Sequence, residues 1–174
     1  MTADATIRRA TPEDAAAIAA CYRDAYRVGA ERGFPTRMTE IGADTVREWL
    51  DADAVTLVAE PGETNVGDGR SGGTEPDGSQ PVVGTVRLLE ERETPYIERL
   101  AVVESWQGSG LGQRLFDRVE SIARSRGYDT AQLTTYDTHP FLHEWYESQG
   151  YEPIETHEKP DRPFDYVTME RRFE

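Results

Sequence analysis

Tyr96-Ile97-Glu98-Arg99-Leu100-Ala101-Val102-Val103 and, three residues later, Gln107-Gly108-Ser109-Gly110-Leu111-Gly112 form the stretch on which the reading of this chain turns. Branched and aromatic side chains in the first segment favour a pleated backbone buried on at least one face. The second segment is a glycine turn. Beyond it Leu111, Leu115, Val119, Ile122 and Ala123 recur at helical spacing, and Gly127 stands where a left-handed C-cap ends a helix. From Tyr96 to Gly127 the prediction is therefore strand, glycine turn, helix.

Glycines without Cβ let a ligand approach the main chain, and the first amides of the following helix point outward unpaired. Such a turn binds anions, a pyrophosphate most naturally, through backbone N–H groups and the positive end of the helix dipole. Two common phosphate loops do not fit. A P-loop requires Gly-Lys-Ser/Thr where this chain has Gly112-Gln113-Arg114, and the dinucleotide fingerprint requires a third glycine where Gln113 sits.

The pattern that fits is Gln/Arg-x-x-Gly-x-Gly/Ala, met by Gln107, Gly110 and Gly112 after a strand ending Leu100-Ala101-Val102. It closely resembles the acetyl-CoA-binding motif of the GCN5-related N-acetyltransferases, the GNAT superfamily. Residues 139–151, His-Pro-Phe-Leu-His-Glu-Trp-Tyr-Glu-Ser-Gln-Gly-Tyr, resemble the family's second motif, a helix with an aromatic-Tyr pair that ends in Gly-Phe/Tyr and leads into a strand. The likeness covers residues 82–174 and is looser before them. It implies an α/β (α+β) fold, a single GNAT-type domain over residues 1–174 with about four helices flanking a mixed central sheet of about six to seven strands. The implied activity is transfer of an acetyl group from acetyl-CoA to a primary amine by direct attack, the acceptor being a small-molecule amine or a protein amino group. A non-catalytic acyl-CoA sensor of the same fold is the alternative.

At 174 residues the chain has the size of one domain able to bury a core without staples. Its single cysteine, Cys21, has no internal partner, which suits a reducing compartment. No apolar run approaches the ~18 residues of a membrane span, and the N-terminal Met-Thr-Ala-Asp lacks the features of a signal peptide. A cytoplasmic protein without a membrane partner is expected. With 33 Asp and Glu against 19 Lys and Arg, the formal net charge is −14, which argues against nucleic-acid binding. Lys159 is the only lysine. Acidity spread over every segment with so little lysine points to the solvent of a salt-accumulating cell, and attraction of a cationic substrate is the other reading.

Taken in order, Thr6–Ala10 reads as a first strand, and Thr11-Pro12-Glu13-Asp14 opens a helix with an N-cap, a proline at N1 and an acid at N3. Ile18, Cys21, Tyr22, Ala25 and Tyr26 share one helical face, and the stretch from Gly29 to Met38 breaks the pattern. A short second helix is expected over Asp44–Asp51 with Val46, Trp49 and Leu50 inward, then a strand over Val55–Glu60. Residues 61–81 are rich in glycine, serine, proline and acid and read as a flexible loop inside a hairpin. Val82–Leu89 is the next strand, antiparallel to the one at Tyr96. Thr130–Tyr136 is a strand reached by a right-handed crossover and so parallel to it. Pro140 starts a helix that Gly150 ends, and Tyr151–Glu155 and Tyr166–Arg171 are the last two strands.

Acetyl transfer from a thioester to an amine needs a cradle for coenzyme A, a base for the ammonium proton and an acid for the departing sulfur. By resemblance, the amides of Gly108, Ser109, Gly110, Leu111, Gly112 and Gln113, with Gln107, hold the pyrophosphate, and main-chain groups of Leu100, Ala101 and Val102 line up with pantetheine and the thioester. The family splays the strands at Tyr96 and Thr130 to admit that arm. Strand parity puts Glu98 on the face of Leu100 and Val102, where a partly buried carboxylate suits a base, an ion pair with Arg87 being the alternative. Tyr146 occupies the second motif's tyrosine position, which implies a general acid, against simple packing. His139 replaces an asparagine that contacts coenzyme A in many members, and beside Pro140 it also suits a helix cap. Tyr26, Phe34 and Arg37 border the implied acceptor site. His143 and His157 lack partners at ligand spacing, so no metal is expected. The expected partners are acetyl-CoA and an amine, with a homodimer allowed for.

The net charge of −14 predicts self-repulsion in dilute buffer. Raising KCl to about 1 M shortens the Debye length to about 3 Å. The melting temperature is expected to rise over that range, and a flat or falling value in a thermal scan contradicts adaptation to salt.

Overall fold

The computed structural model describes residues 5–31, 37–51, 54–62, 81–90, 93–136, 142–158, 160–161 and 165–173. Within them the elements run β1 (Ala5–Arg9), α1 (Ala15–Glu31), α2 (Ala43–Leu50), β2 (Ala54–Pro61), β3 (Gly84–Leu89), β4 (Tyr96–Val102), α3 (Leu111–Ser125), β5 (Thr130–Tyr136), α4 (Leu142–Ser148), β6 (Glu152–His157) and β7 (Tyr166–Arg172). The strands form a seven-stranded sheet in the order β1-β2-β3-β4-β5-β7-β6. β1 with β2, β5 with β7 and β6 with β7 pair antiparallel. β4 and β5 pair parallel, as the crossover through α3 requires, with Tyr96 opposite Gln132. This is the mixed α/β architecture expected. Most of the glycine-rich loop, 63–80, lies outside the described residues. No helix among the described residues is long and apolar enough to cross a membrane.

The chain divides into two compact units, one of residues 1–87 with 99–119 and one of residues 88–98 with 120–174. In the first, Ile18, Cys21 and Tyr22 of α1 pack with Val46 of α2, Val58 of β2 and Ala101 of β4. Burial pushes the Cys21 thiol up to about 12, so it is an inert core group. The start of α1 follows the sequence signal. Pro12 stands at N1 of a 3-10 turn, and the Thr11 N–H donates to the Asp14 carboxylate at 2.7 Å. Its end does not, because the helix runs through Gly29 to Glu31 instead of breaking there. An interior glycine costs only about 1 kcal/mol relative to alanine. Arg27 in the last turns bonds Glu31 at 3.2 Å and Glu104 at 3.0 Å, both exposed pairs. A 3-10 turn at Arg37–Glu40, unannounced by periodicity, then brings Met38 into the core. In α2, Val46 is buried and Trp49 and Leu50 are half-buried against the same core, as expected.

β3 meets α3 without a side chain at Gly84, where an added Cβ would stand 2.8 Å from Leu115 Cδ1 and 3.1 Å from Leu111 Cδ2. The helix therefore rests on the strand at backbone distance.

In the second unit Leu133, Tyr151, Val167 and Met169 are buried. Gly127 (φ 89) and Gly150 (φ 97) end α3 and α4 in left-handed caps, with Tyr128 N–H donating to Ala123 O and Tyr151 N–H to Tyr146 O. Those bonds span five residues back, the Schellman pattern. Glu120, 5% exposed, accepts from the Tyr151 hydroxyl at 2.9 Å and from Arg171 Nη1 at 3.0 Å. Burial pushes both the Glu120 carboxyl and the Tyr151 phenol up.

Arg8 joins β1, β2 and the start of α1, donating to Asp14 at 2.7 and 2.8 Å and to Glu60 at 2.6 Å. Its guanidinium holds the buried Asp14 carboxyl below its ordinary value of 3.8. A depressed folded pKa adds stability above the unfolded value and loses it as pH falls through the folded one. Asp14→Asn should therefore lose about 1 to 3 kcal/mol at neutral pH and show a shallower loss below pH 4, read from denaturant midpoints across pH. Parallel acid profiles for variant and parent contradict this account.

Candidate functional site

The turn between β4 and α3 has the geometry of an anion cradle. Glu104–Trp106 make a single 3-10 turn, and Gly108 (φ 80) and Gly110 (φ 88) then take left-handed conformations that an L side chain adopts at a cost of about 1 to 2 kcal/mol. An added Cβ at either glycine meets no atom within 4 Å, so the space beside both is open. Gln107 Nε2 donates to Val102 O at 3.0 Å and ties the turn to the end of β4. Ser109 Oγ donates to Trp106 O at 2.5 Å, and the Leu111 N–H reaches Ser109 Oγ at 3.4 Å. Among the described residues, the amides of Gly108, Gly110 and Gly112 donate to no acceptor. Unpaired N–H groups at a helix start with open space beside them suit a phosphate group. The residues present fit a pyrophosphate.

β4 is less regular than the sequence implied. Arg99 stands at φ 54, a left-handed residue inside a strand. The alternation that would place Glu98 on the face of Leu100 and Val102 is interrupted between them, so the shared face does not follow from spacing. Glu98, Leu100 and Val102 are half-buried and Ala101 is buried.

Tyr146 lies on α4 in the second unit, 9% exposed, with its ring edge-on to Trp145 at 5.2 Å and to Tyr151 at 6.4 Å. The left-handed cap at Gly150 folds the chain back so that Tyr151 meets it. Of the remaining expected residues, Phe34 and His139 lie outside the described residues, and Arg37 begins the 3-10 turn that carries Met38. Tyr26 is half-buried on α1, its ring 6.1 Å from Tyr22.

Tyr26 belongs to a cluster the sequence did not bring together. Tyr22, fully buried, packs edge-on to Trp49 at 6.2 Å. Two guanidiniums lie against the same indole, Arg87 at 5.2 Å and Arg99 at 4.4 Å from its centroid. Arg87 Nη2 donates to Trp49 O at 3.2 Å and Arg99 Nη1 to Met38 Sδ at 3.1 Å. Cation–π contacts of this kind contribute about 0.5 to 2 kcal/mol each. Burial pushes the Tyr22 phenol up, which keeps its hydroxyl protonated. A charged residue in an apolar strand is the one sequence signal for Arg99. Its positive φ has none.

The family model described as the acetyltransferase (GNAT) family matches residues 30–151. Among curated proteins, N-alpha-acetyltransferase 80 of Mus musculus is 35% identical over 65 residues, which cover 36% of this chain and 21% of that protein. The match thus spans about a fifth of that relative. Among solved structures, the ribosomal-protein-S18-alanine N-acetyltransferase of Escherichia coli superposes with a TM-score of 0.71 at 16% identity over 98% of this chain and 94% of its own. PaiA N-acetyltransferase of Thermoplasma acidophilum, solved in complex with coenzyme A, gives 0.64 at 13% identity over 98% and 99%. At these identities the superpositions show the fold.

Proposed function

This chain belongs to the acetyltransferase (GNAT) family and is an acyltransferase, and we propose that its donor is acetyl-CoA and its acceptor a primary amine that attacks the thioester directly. The glycine turn carries this reading: two left-handed glycines open space beside unpaired amides at the start of α3. The amides from Gly108 to Gln113 hold the pyrophosphate, Gln107 braces the turn, and main-chain groups of Leu100, Ala101 and Val102 align the pantetheine arm. His139 is a further contact to coenzyme A. Tyr26, Phe34 and Arg37 border the acceptor.

Acetyl-CoA supplies an acetyl group activated as a thioester. An amine is protonated at neutral pH, so a base must take that proton before nitrogen attacks, and Glu98 is the carboxylate assigned to it. As the C–N bond forms and the C–S bond breaks, the sulfur leaves with the bonding pair, and the Tyr146 hydroxyl supplies a proton to it. Tyr146 lies among rings in a position that is nearly closed to solvent, a setting that suits a fixed donor.

Release of free thiol from acetyl-CoA with a panel of amines tests the activity; coenzyme A binding without release for any amine would turn the reading to a non-catalytic module. Gly110→Val places a branched side chain in the open space of the turn and in a left-handed conformation. It should weaken coenzyme A binding by calorimetry at least tenfold, equivalent to about 1.4 kcal/mol, and a folded variant with unchanged affinity contradicts the cradle.

Tyr146→Phe keeps the ring and removes the hydroxyl. Turnover should fall by about 10²- to 10⁴-fold with coenzyme A affinity retained. Normal turnover would make Tyr146 a packing residue, and loss of affinity together with activity would make its hydroxyl a binding group.

A further inference from the structure

Three polar side chains from separate elements meet inside the second compact unit: Glu120 of α3, Tyr151 just past the end of α4 and Arg171 of β7. The Tyr151 hydroxyl donates to Glu120 Oε2 at 2.9 Å, and Arg171 Nη1 donates to the same oxygen at 3.0 Å and to Oε1 at 3.1 Å. Glu120 and Tyr151 are both buried, in a unit whose other buried side chains include Leu133, Val167 and Met169. Taking a carboxylate out of water is costly, and apolar side chains of equal size hold a core together as well or better. What the polar arrangement adds is direction, because a hydrogen bond fixes the distance and angle between its partners while apolar contacts allow slip.

The part held in this way is the end of α4. That helix has seven residues, too few to keep a direction without outside support. The Tyr151 N–H donates to Tyr146 O at 3.1 Å, and the two rings meet edge-on at 6.4 Å. Arg171 passes over the same cap, its Nε 3.3 Å from the place a Cβ on Gly150 would take. Carboxylate, phenol and guanidinium therefore all bear on the turn from which Tyr146 projects.

We propose that Glu120 and Tyr151 are positioning residues for acetyl transfer: the carboxylate fixes the Tyr151 ring by its hydroxyl, and that ring fixes Tyr146 so that its hydroxyl is aimed at the departing sulfur. This rests on the reading of Tyr146 as the general acid. Glu120 and Tyr151 neither touch the reacting atoms nor move a proton. Their effect is alignment alone, and a misplacement of about 1 Å in a reacting group is enough to lose about a hundredfold in rate.

Kinetics of thiol release from acetyl-CoA, with the amine of the panel that the parent acetylates fastest, test the proposal. Tyr151→Phe keeps the ring and leaves Glu120 with Arg171, and should lower kcat about ten- to a hundredfold while the KM for acetyl-CoA stays within about twofold. Combined with Tyr146→Phe it should cost no more than about a further twofold, because no hydroxyl is left to aim. A general weakening of the fold would instead slow both backgrounds equally. Glu120→Leu should match Tyr151→Phe, and Glu120→Gln, which keeps an acceptor oxygen for the phenol, should recover most of the loss; these arms decide the matter if Tyr151→Phe fails to fold. Normal turnover by Tyr151→Phe, equal losses in the two backgrounds, or a Glu120→Gln variant as slow as Glu120→Leu overturns the proposal. Normal turnover by Tyr146→Phe, or no thiol release with any amine, overturns the acid reading as well, whereas a slow Tyr146→Phe beside a normal Tyr151→Phe overturns the positioning alone.

Discussion

Between Val102 and Leu111 the chain leaves a strand and begins a helix within a few residues, and it does so through two left-handed glycines, Gly108 and Gly110. That reversal sets where the first amides of α3 point. It is braced from both sides: Gln107 bonds back to the Val102 carbonyl, and Gly84 lets Leu111 and Leu115 settle onto β3 at backbone distance. A side chain at Gly84 would press on Leu115 Cδ1 and Leu111 Cδ2, so these leucines of α3 would have to shift.

Ion pairs in this acidic chain fall into two kinds. Arg8 with Asp14 and Glu60, and Arg171 with Glu120, satisfy buried or half-buried carboxylates and join separate elements. Removing one partner of such a pair strands the other, which is why they are sensitive points even where their net contribution is modest. Exposed pairs such as Arg47 with Asp44 contribute little. Arg87 and Arg99 also lie against the Trp49 indole, Arg87 donating to the Trp49 carbonyl and Arg99 to the Met38 thioether.

Much of the fold was legible because it rests on local chemistry. Val55–Glu60 and Thr130–Tyr136 carry enough branched side chains to be strands in any setting, and β2 and β5 cover them. Thr11-Pro12-Glu13-Asp14 announced the start of α1, and Gly127 and Gly150 announced the ends of α3 and α4. Gly29 misled because one interior glycine costs a helix only about 1 kcal/mol, too little to end α1 by itself. The turn at Arg37–Glu40 had no periodicity to show. On β4 a two-residue alternation assumes extended backbone at every position, and Arg99 breaks the assumption.

The sequence by itself determined the order strand, glycine turn, helix, because each of the three is set by local side chains and by the glycines of the turn. It also determined the family, since two motifs in order identify a shared fold. Only the tertiary structure decided that Tyr22 of α1, Trp49 of α2, Arg87 of β3 and Arg99 of β4 meet in one cluster. No spacing relates these residues. They meet because α1 and α2 share a core with β2 and β4, and because a left-handed residue re-aims the side chain of Arg99, a conformation that local propensity disfavours and that the surrounding packing imposes.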